Sequence, residues 1–177
     1  MSIRVLGCSG GLSGENQQGS TCIQISPSTL IDAGTGLASL SLAEMSRIRH
    51  IFLTHAHMDH IAALPTFLSN LFEQDNLPVK VYGLAETLAR LKANIFNDEI
   101  WPDFTRVIDG QQSVVELVEV AAGDIIEHDG MTLELFAVKH KIPTVGYSVK
   151  SETVHYVFCA DCTESAQLVA DLNRLAP

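Results

Sequence analysis

Four side chains able to bind a metal fall within six consecutive positions of the chain: His55, His57, Asp59 and His60, in the stretch LTHAHMDHIAALP (53–65). His55 and His57 are two residues apart, so in extended backbone their imidazoles point the same way and can share one ion. Asp59 and His60 lie beyond Met58, where the chain turns into a helix, and could hold a second ion close by. Neutral imidazole and carboxylate suit zinc-like divalent ions, and a pair of such ions suits in-line hydrolysis. A surface histidine at a strand end explains one such residue, not four in a cluster fixed between two apolar runs.

The elements around the cluster must position it. IRVLG (3–7), TCIQI (21–25) and TLIDAGTG (29–36) read as short strands closed by glycine, followed by a helix over LASLSLAEMSRI (37–48). HIFLT (50–54) is a buried strand that ends at the histidines, and IAALPTFLSNLFEQ (61–74) has helical spacing, with Pro65 near its first turn where proline is tolerated. VKVYG (79–83) returns to strand, AETLARLKANIF (85–96) to helix, and IWPDFTR (100–106) to loop. The character then changes to antiparallel-like strands: SVVELVEV, MTLELFAVKH, TVGYSVKS and VHYVFCA, with HDG (128–130) as a turn signal. CTESAQLVADLNRLAP closes the chain as a helix, with Thr163 as its cap. Strands that flank helices on both sides of the middle predict a layered α/β sandwich.

Bulk properties narrow the class. At 177 residues the chain predicts one domain, and 46% hydrophobic with 18% charged residues is globular. No apolar run is long enough to span a membrane, and MSIRVLGCSGG does not read as a secretory signal, so a cytoplasmic protein is expected. Four cysteines (Cys8, Cys22, Cys159, Cys162) are then expected as reduced thiols. A formal charge of −10, with 11 Lys and Arg, argues against a broad nucleic-acid footprint and for a small substrate, drawn in where bound cations reverse the local potential.

THAHMDH resembles the T-H-x-H-x-D-H signature of the metallo-β-lactamase fold, and LIDAGTG resembles the glycine-rich turn with a structural aspartate that precedes it there. VLGCSGG, HIFLTHAHMDHIAALP, IFNDEIWPDFTR and VKHKIPTVGY together resemble the class II 3',5'-cyclic-nucleotide phosphodiesterases and their bacterial relatives. The resemblance implies a four-layer αββα sandwich. It implies that His140, after LELFAVK, closes the first metal site, and that Asp161 in VFCADCT bridges the two ions, with Ala160 where the family usually has glycine. His55, His57, His140 and Asp161 would hold the first ion, and Asp59, His60 and Asp161 the second. Two divalent ions are expected, Zn2+ first and Mn2+ second, with Asp59 and Asp161 also catalytic. Asp32, with Thr54, would orient the histidine loop by hydrogen bonds, and Gly34 and Gly36 would serve tight backbone.

The resemblance implies cleavage of cyclic AMP or cyclic GMP to a nucleoside 5'-monophosphate, by attack of a hydroxide formed when two ions lower the pKa of water from about 15.7 to near 7. With two carboxylates and one hydroxide such a site carries roughly +1, which attracts a diester. Trp101 and Phe104 are candidates for stacking on a base, with core packing as the alternative. His140 as a hydrogen-bonded core histidine and Asp161 as a helix cap are the plainer readings of those residues. His50, His128 and His155 read as surface or strand residues. The family supplies one more histidine from a carboxyl-terminal strand, and no histidine follows Asp161. The expectation is therefore a domain lacking its carboxyl-terminal part, its second site left with three protein ligands, and homo-oligomerisation through the exposed apolar surface. Other readings stay open: an RNase Z-like phosphodiesterase, thioesterase or lactonase on the same fold, an inactive fragment, or a redox C-x-x-C at CADC.

Overall fold

Hydrophobic alternation in the central strands assigns each residue to one of two cores, and the layers follow from that. The computed structural model describes residues 3–10, 19–72, 78–107 and 112–175. The first sheet has six strands in chain order: β1 (Arg4–Gly7), β2 (Cys22–Ser26), β3 (Thr29–Ile31), β4 (His50–Phe52), β5 (Val79–Gly83) and β6 (Val115–Glu119). The first three pair antiparallel, and β3 through β6 pair parallel. Leu30, Ile51, Val79 and Val81 face one side, where they pack with Phe67, Leu68, Leu88 and Leu91. Those four partners come from α3 (Leu64–Leu71) and α4 (Ala85–Asn94).

On the other side Ile23, Ile25, Ile31 and Phe52 pack against Met131, Leu133, Leu135, Val145, Tyr147 and Val149. These belong to an antiparallel second sheet ordered β10-β9-β8-β7. Its strands are β7 (Ile125–His128), β8 (Met131–Val138), β9 (Thr144–Lys150) and β10 (His155–Phe158). The outward residues Phe136 and Val138 meet Leu168 and Leu175 of α5 (Ala166–Leu175), which makes the fourth layer. The αββα sandwich expected from the resemblance is the fold observed. Full burial of a side chain such as Phe52 contributes about 1.5–3 kcal/mol, so the two cores rather than surface contacts hold the layers together.

Several elements differ from the sequence reading. β6 is not antiparallel with the strands that follow it: it lies parallel beside β5, because Val115 completes the helix-side core. β7 was not anticipated; the HDG turn, with Asp129 and Gly130 at positive φ, joins it to β8 in a two-residue hairpin. The helix expected over 37–48 divides into a 3-10 turn at Thr35–Ser39 and α1 (Leu42–Met45). Ser41 starts α1 through a capping box with Glu44. The helix expected from residue 61 divides as well, into α2 (Met58–Ile61) and α3, with Pro65 in the first turn of α3. Its last two expected residues, 73 and 74, lie outside the described residues, as do 176 and 177 of the final helix. Ser165 rather than Thr163 caps α5, its hydroxyl accepting from the Leu168 amide at 3.1 Å. The strand expected at 29–36 stops at Ile31, because Asp32 turns the chain at φ 59°.

Candidate metal centre

Parallel β4 delivers Leu53 to His57 at the carboxyl end of the first sheet, and α2 returns Asp59 and His60 to the same place. The loop after β3 lies under this segment. Asp32 accepts from the Thr54 amide at 2.8 Å and from the Thr54 hydroxyl, and its other oxygen lies 2.7 Å from His60 Nδ1. Ala33 donates to the His60 carbonyl of α2 at 2.7 Å and accepts from the amide of Ala63, which precedes α3, at 2.9 Å. Gly34 is required by contact: a Cβ there would come within 2.1 Å of the Asp59 carbonyl oxygen. Asp32 and Thr54, expected to orient the histidine loop, are both fully buried and hydrogen-bonded to it.

These bonds fix the histidine tautomers. The Thr54 hydroxyl gives its one proton to Asp32, so it accepts from His55 Nδ1 at 3.0 Å, which leaves His55 Nε2 with a lone pair. His60 donates through Nδ1 to Asp32, and its Nε2 is buried with no hydrogen-bond partner among the described residues. His57 Nδ1 faces His55 Nε2 at 3.0 Å and His140 Nε2 at 3.2 Å. A single ring nitrogen cannot satisfy both: with its proton on, it cannot accept from His140, and with its proton off it opposes the His55 lone pair.

A cation resolves this arrangement. A tetrahedral ion with nitrogens at about 2.0–2.1 Å separates them by about 3.3 Å, close to the observed spacing. His55, His57, His140 and Asp161 bring four ligand atoms within 4.8 Å of one another, and Asp59, His60 and Asp161 form a second such group. The lone His60 Nε2 lies 3.4 Å from an Asp161 oxygen and 3.6 Å from an Asp59 oxygen. The residues present therefore fit two divalent ions that share Asp161. Burial, then repulsion from His60, His57 and His140, pulls the His55 pKa down to about 3, so this imidazole is neutral as a ligand must be. Burial opposes protonation of His60, but its hydrogen bond to Asp32 and the charges of Asp32, Asp59 and Asp161 outweigh that and move its pKa up.

His140 and Asp161 reach the centre from the second sheet, just beyond β8 and β10. Asp161 does not cap α5, which starts five residues later. Ala160 adopts φ 53°, the left-handed conformation that a glycine accepts without strain. Phe104 is not placed to stack on a substrate: it is 6% exposed, packs in the helix-side core with Phe96, and stacks against the exposed ring of Phe72. Trp101 is half-buried against the same core, and its indole nitrogen has no partner among the described residues. His50, His128 and His155 lie in strands, as read, but the rings of His50 and His128 also pack at 3.9 Å, far from the metal centre along β4. The C-x-x-C reading loses support: burial, then Cys162, raises the Cys159 pKa, and α5 begins only at Ala166.

A sandwich with a histidine and aspartate centre at the strand ends defines the metallo-β-lactamase fold class. A Beta-lactamase superfamily domain matches residues 28–175, and the chain belongs to that superfamily. It is similar to the 3',5'-cyclic-nucleotide phosphodiesterase 1 of Saccharomyces cerevisiae, 41% identical over 59 residues, which is 33% of this chain and 16% of that protein. It is also similar to the ribonuclease Z of Prochlorococcus marinus, 28% identical over 177 aligned residues, covering 95% of this chain and 55% of that protein. The crystal structure of unliganded yeast PDE1 superposes with a TM-score of 0.76 at 17% identity, over 99% of this chain and 71% of that one. The chain spans about half or less of the length of the two curated relatives named here. Among the described residues no helix is long and apolar enough to cross a membrane.

Proposed function

We propose that the protein is a metal-dependent phosphodiester hydrolase that cleaves 3',5'-cyclic nucleotides to nucleoside 5'-monophosphates. The observation that carries the reading is the convergence of His55, His57, His140 and Asp161 beside Asp59 and His60, with Asp161 common to both groups. A carboxylate in that shared position suits a two-ion centre. Two bound ions, Zn2+ or Mn2+, would supply an activated water and neutralise charge on the diester.

The chain's own groups do the rest. His55 and His60, locked by Thr54 and Asp32, present their Nε2 atoms in fixed directions and need no reorientation when the site is loaded. Asp59, with its side chain 26% exposed, stands at the open side of the centre, where it can hold a proton in transit as well as an ion. Water adds to phosphorus, the bond from phosphorus to the 3' oxygen breaks, and the 3' oxygen leaves as a hydroxyl.

A second reading is favoured by the ribonuclease Z likeness, which extends over 95% of the chain: the diester is then the 3' end of an RNA. The test is hydrolysis of cyclic AMP, cyclic GMP and a 3'-extended transfer RNA, with added zinc or manganese, by the protein and by His57→Ala. Cyclic-nucleotide hydrolysis that disappears in His57→Ala supports the first reading. Cleavage of the RNA alone moves the assignment to the second, and equal rates in both proteins remove the site from the mechanism.

A further inference from the structure

We infer that Tyr147 is a positioning residue for the metal centre, a strut from the second sheet that sets where the His55 loop stands relative to His140. The inference rests on the metal-centre reading above. Tyr147 lies in β9, fully buried among Phe52, Leu133 and Val149 of the inter-sheet core. Its hydroxyl donates to the Leu53 carbonyl at 2.8 Å, across 94 residues of sequence. On the same strand the Val145 amide donates to the Thr54 carbonyl at 3.2 Å.

The two carbonyls that precede His55 are therefore both held by β9, while the Thr54 amide and hydroxyl are held from the first sheet by Asp32. β9 begins four residues after His140. One strand thus ties the ligand that enters from the second sheet to the ligand loop that leaves the first. The Leu53 amide is bonded to the Tyr82 carbonyl at 2.8 Å, so Leu53 is held through both its N–H and its carbonyl. Burial, then the charge of Asp32, moves the Tyr147 pKa well above the ordinary tyrosine value, which keeps the hydroxyl a donor throughout the working range.

A core tyrosine with only a packing role would affect folding and leave metal binding alone. The comparison is with Tyr82, a neighbour in the same aromatic stack whose hydroxyl meets His50 Nδ1 at 3.1 Å and does not touch the ligand loop. Zinc dissociation constants are measured by chelator competition on folded apoprotein, with the absorption spectrum of the cobalt form, for wild type, Tyr147→Phe and Tyr82→Phe. Tyr147→Phe is expected to weaken zinc about tenfold and to shift the cobalt bands, with Tyr82→Phe within about twofold of wild type. Replacing Tyr147 with p-aminophenylalanine, which keeps a donor at the ring tip, is expected to restore the affinity. That variant carries the test alone if Tyr147→Phe does not fold, since a tenfold loss with the donor present contradicts the inference. An unchanged dissociation constant in Tyr147→Phe overturns it too, whatever happens to the melting temperature. Wild type that binds no zinc overturns the metal-centre reading itself, a separate result.

Discussion

Asp32, Thr54, His55 and His60 are at most 1% exposed and joined by a closed set of hydrogen bonds, whereas the Asp161 side chain is 44% exposed and follows a strained Ala160. Among the described residues, the Asp161 carboxylate forms its ion-pair contacts with His60 and His140, at 3.4 and 3.9 Å. The strand before it, β10, has every residue half-buried, while β2 and β3 on the other side are buried throughout. The Asp32, Thr54, His55 and His60 part of the centre belongs to the core and is organised by folding. Asp161 stands nearer the surface, where a side chain is freer to move.

Substitutions on the two sides should then act on different quantities. The largest stability effect is expected from Asp32→Ala, which strips partners from the Thr54 amide and His60 Nδ1 and leaves them buried. The expected loss is about 3–5 kcal/mol in urea unfolding of the apoprotein, and a loss below about 1 kcal/mol would mean that the buried brace does not hold the loop. Asp161→Ala should change apoprotein stability by less than about 1 kcal/mol, as for a half-exposed residue. The same change should weaken metal binding at least about 100-fold, since both groups lose a ligand. Equilibrium dialysis against zinc separates the two outcomes.

Ala160→Gly removes left-handed strain and should stabilise the fold by about 1 kcal/mol. No gain there would indicate that β10 relaxes to absorb the strain. The smallest effect concerns acid. Burial holds His55 at about 3, and burial with His128 holds His50 at about 4, both below the ordinary 6.5. The unfolded chain therefore takes up these protons first. The stability they contribute is complete above about pH 6.5 and is lost as pH falls through 6.5 toward those values. His50 begins β4 and His55 follows its end. His50→Gln should make the apoprotein's decline between pH 6.5 and 4 shallower, and an unchanged slope would place the acid sensitivity elsewhere.

The same asymmetry decided what the sequence made legible. LTHAHMDH announces itself because four side chains able to bind a metal sit within one strand-to-helix passage, and LIDAGTG because a tight turn needs its glycines. His140 and Asp161 stand alone in their segments, and only the resemblance to a known fold connected them to the cluster. Ala160 was visible as a departure from glycine, but its cost became apparent only from the backbone angle. Tyr147 was hidden: in TVGYSVKS it is one more inward-facing aromatic, and no periodicity tells which carbonyl a buried hydroxyl will meet. β6 misled for a related reason, since its alternation fits either sheet and the partner is chosen by long-range packing. Phe104 is an aromatic in a loop that can stack on a base or fill the core, and packing beside Phe96 decides for the core.

The central claim is a two-ion centre assembled from both sheets. Anomalous diffraction at the zinc absorption edge, from crystals grown with zinc, tests it most directly. Two peaks are expected: one among His55, His57, His140 and Asp161, the other among Asp59, His60 and Asp161. A single peak away from Asp161, or no peak among these side chains, would contradict it.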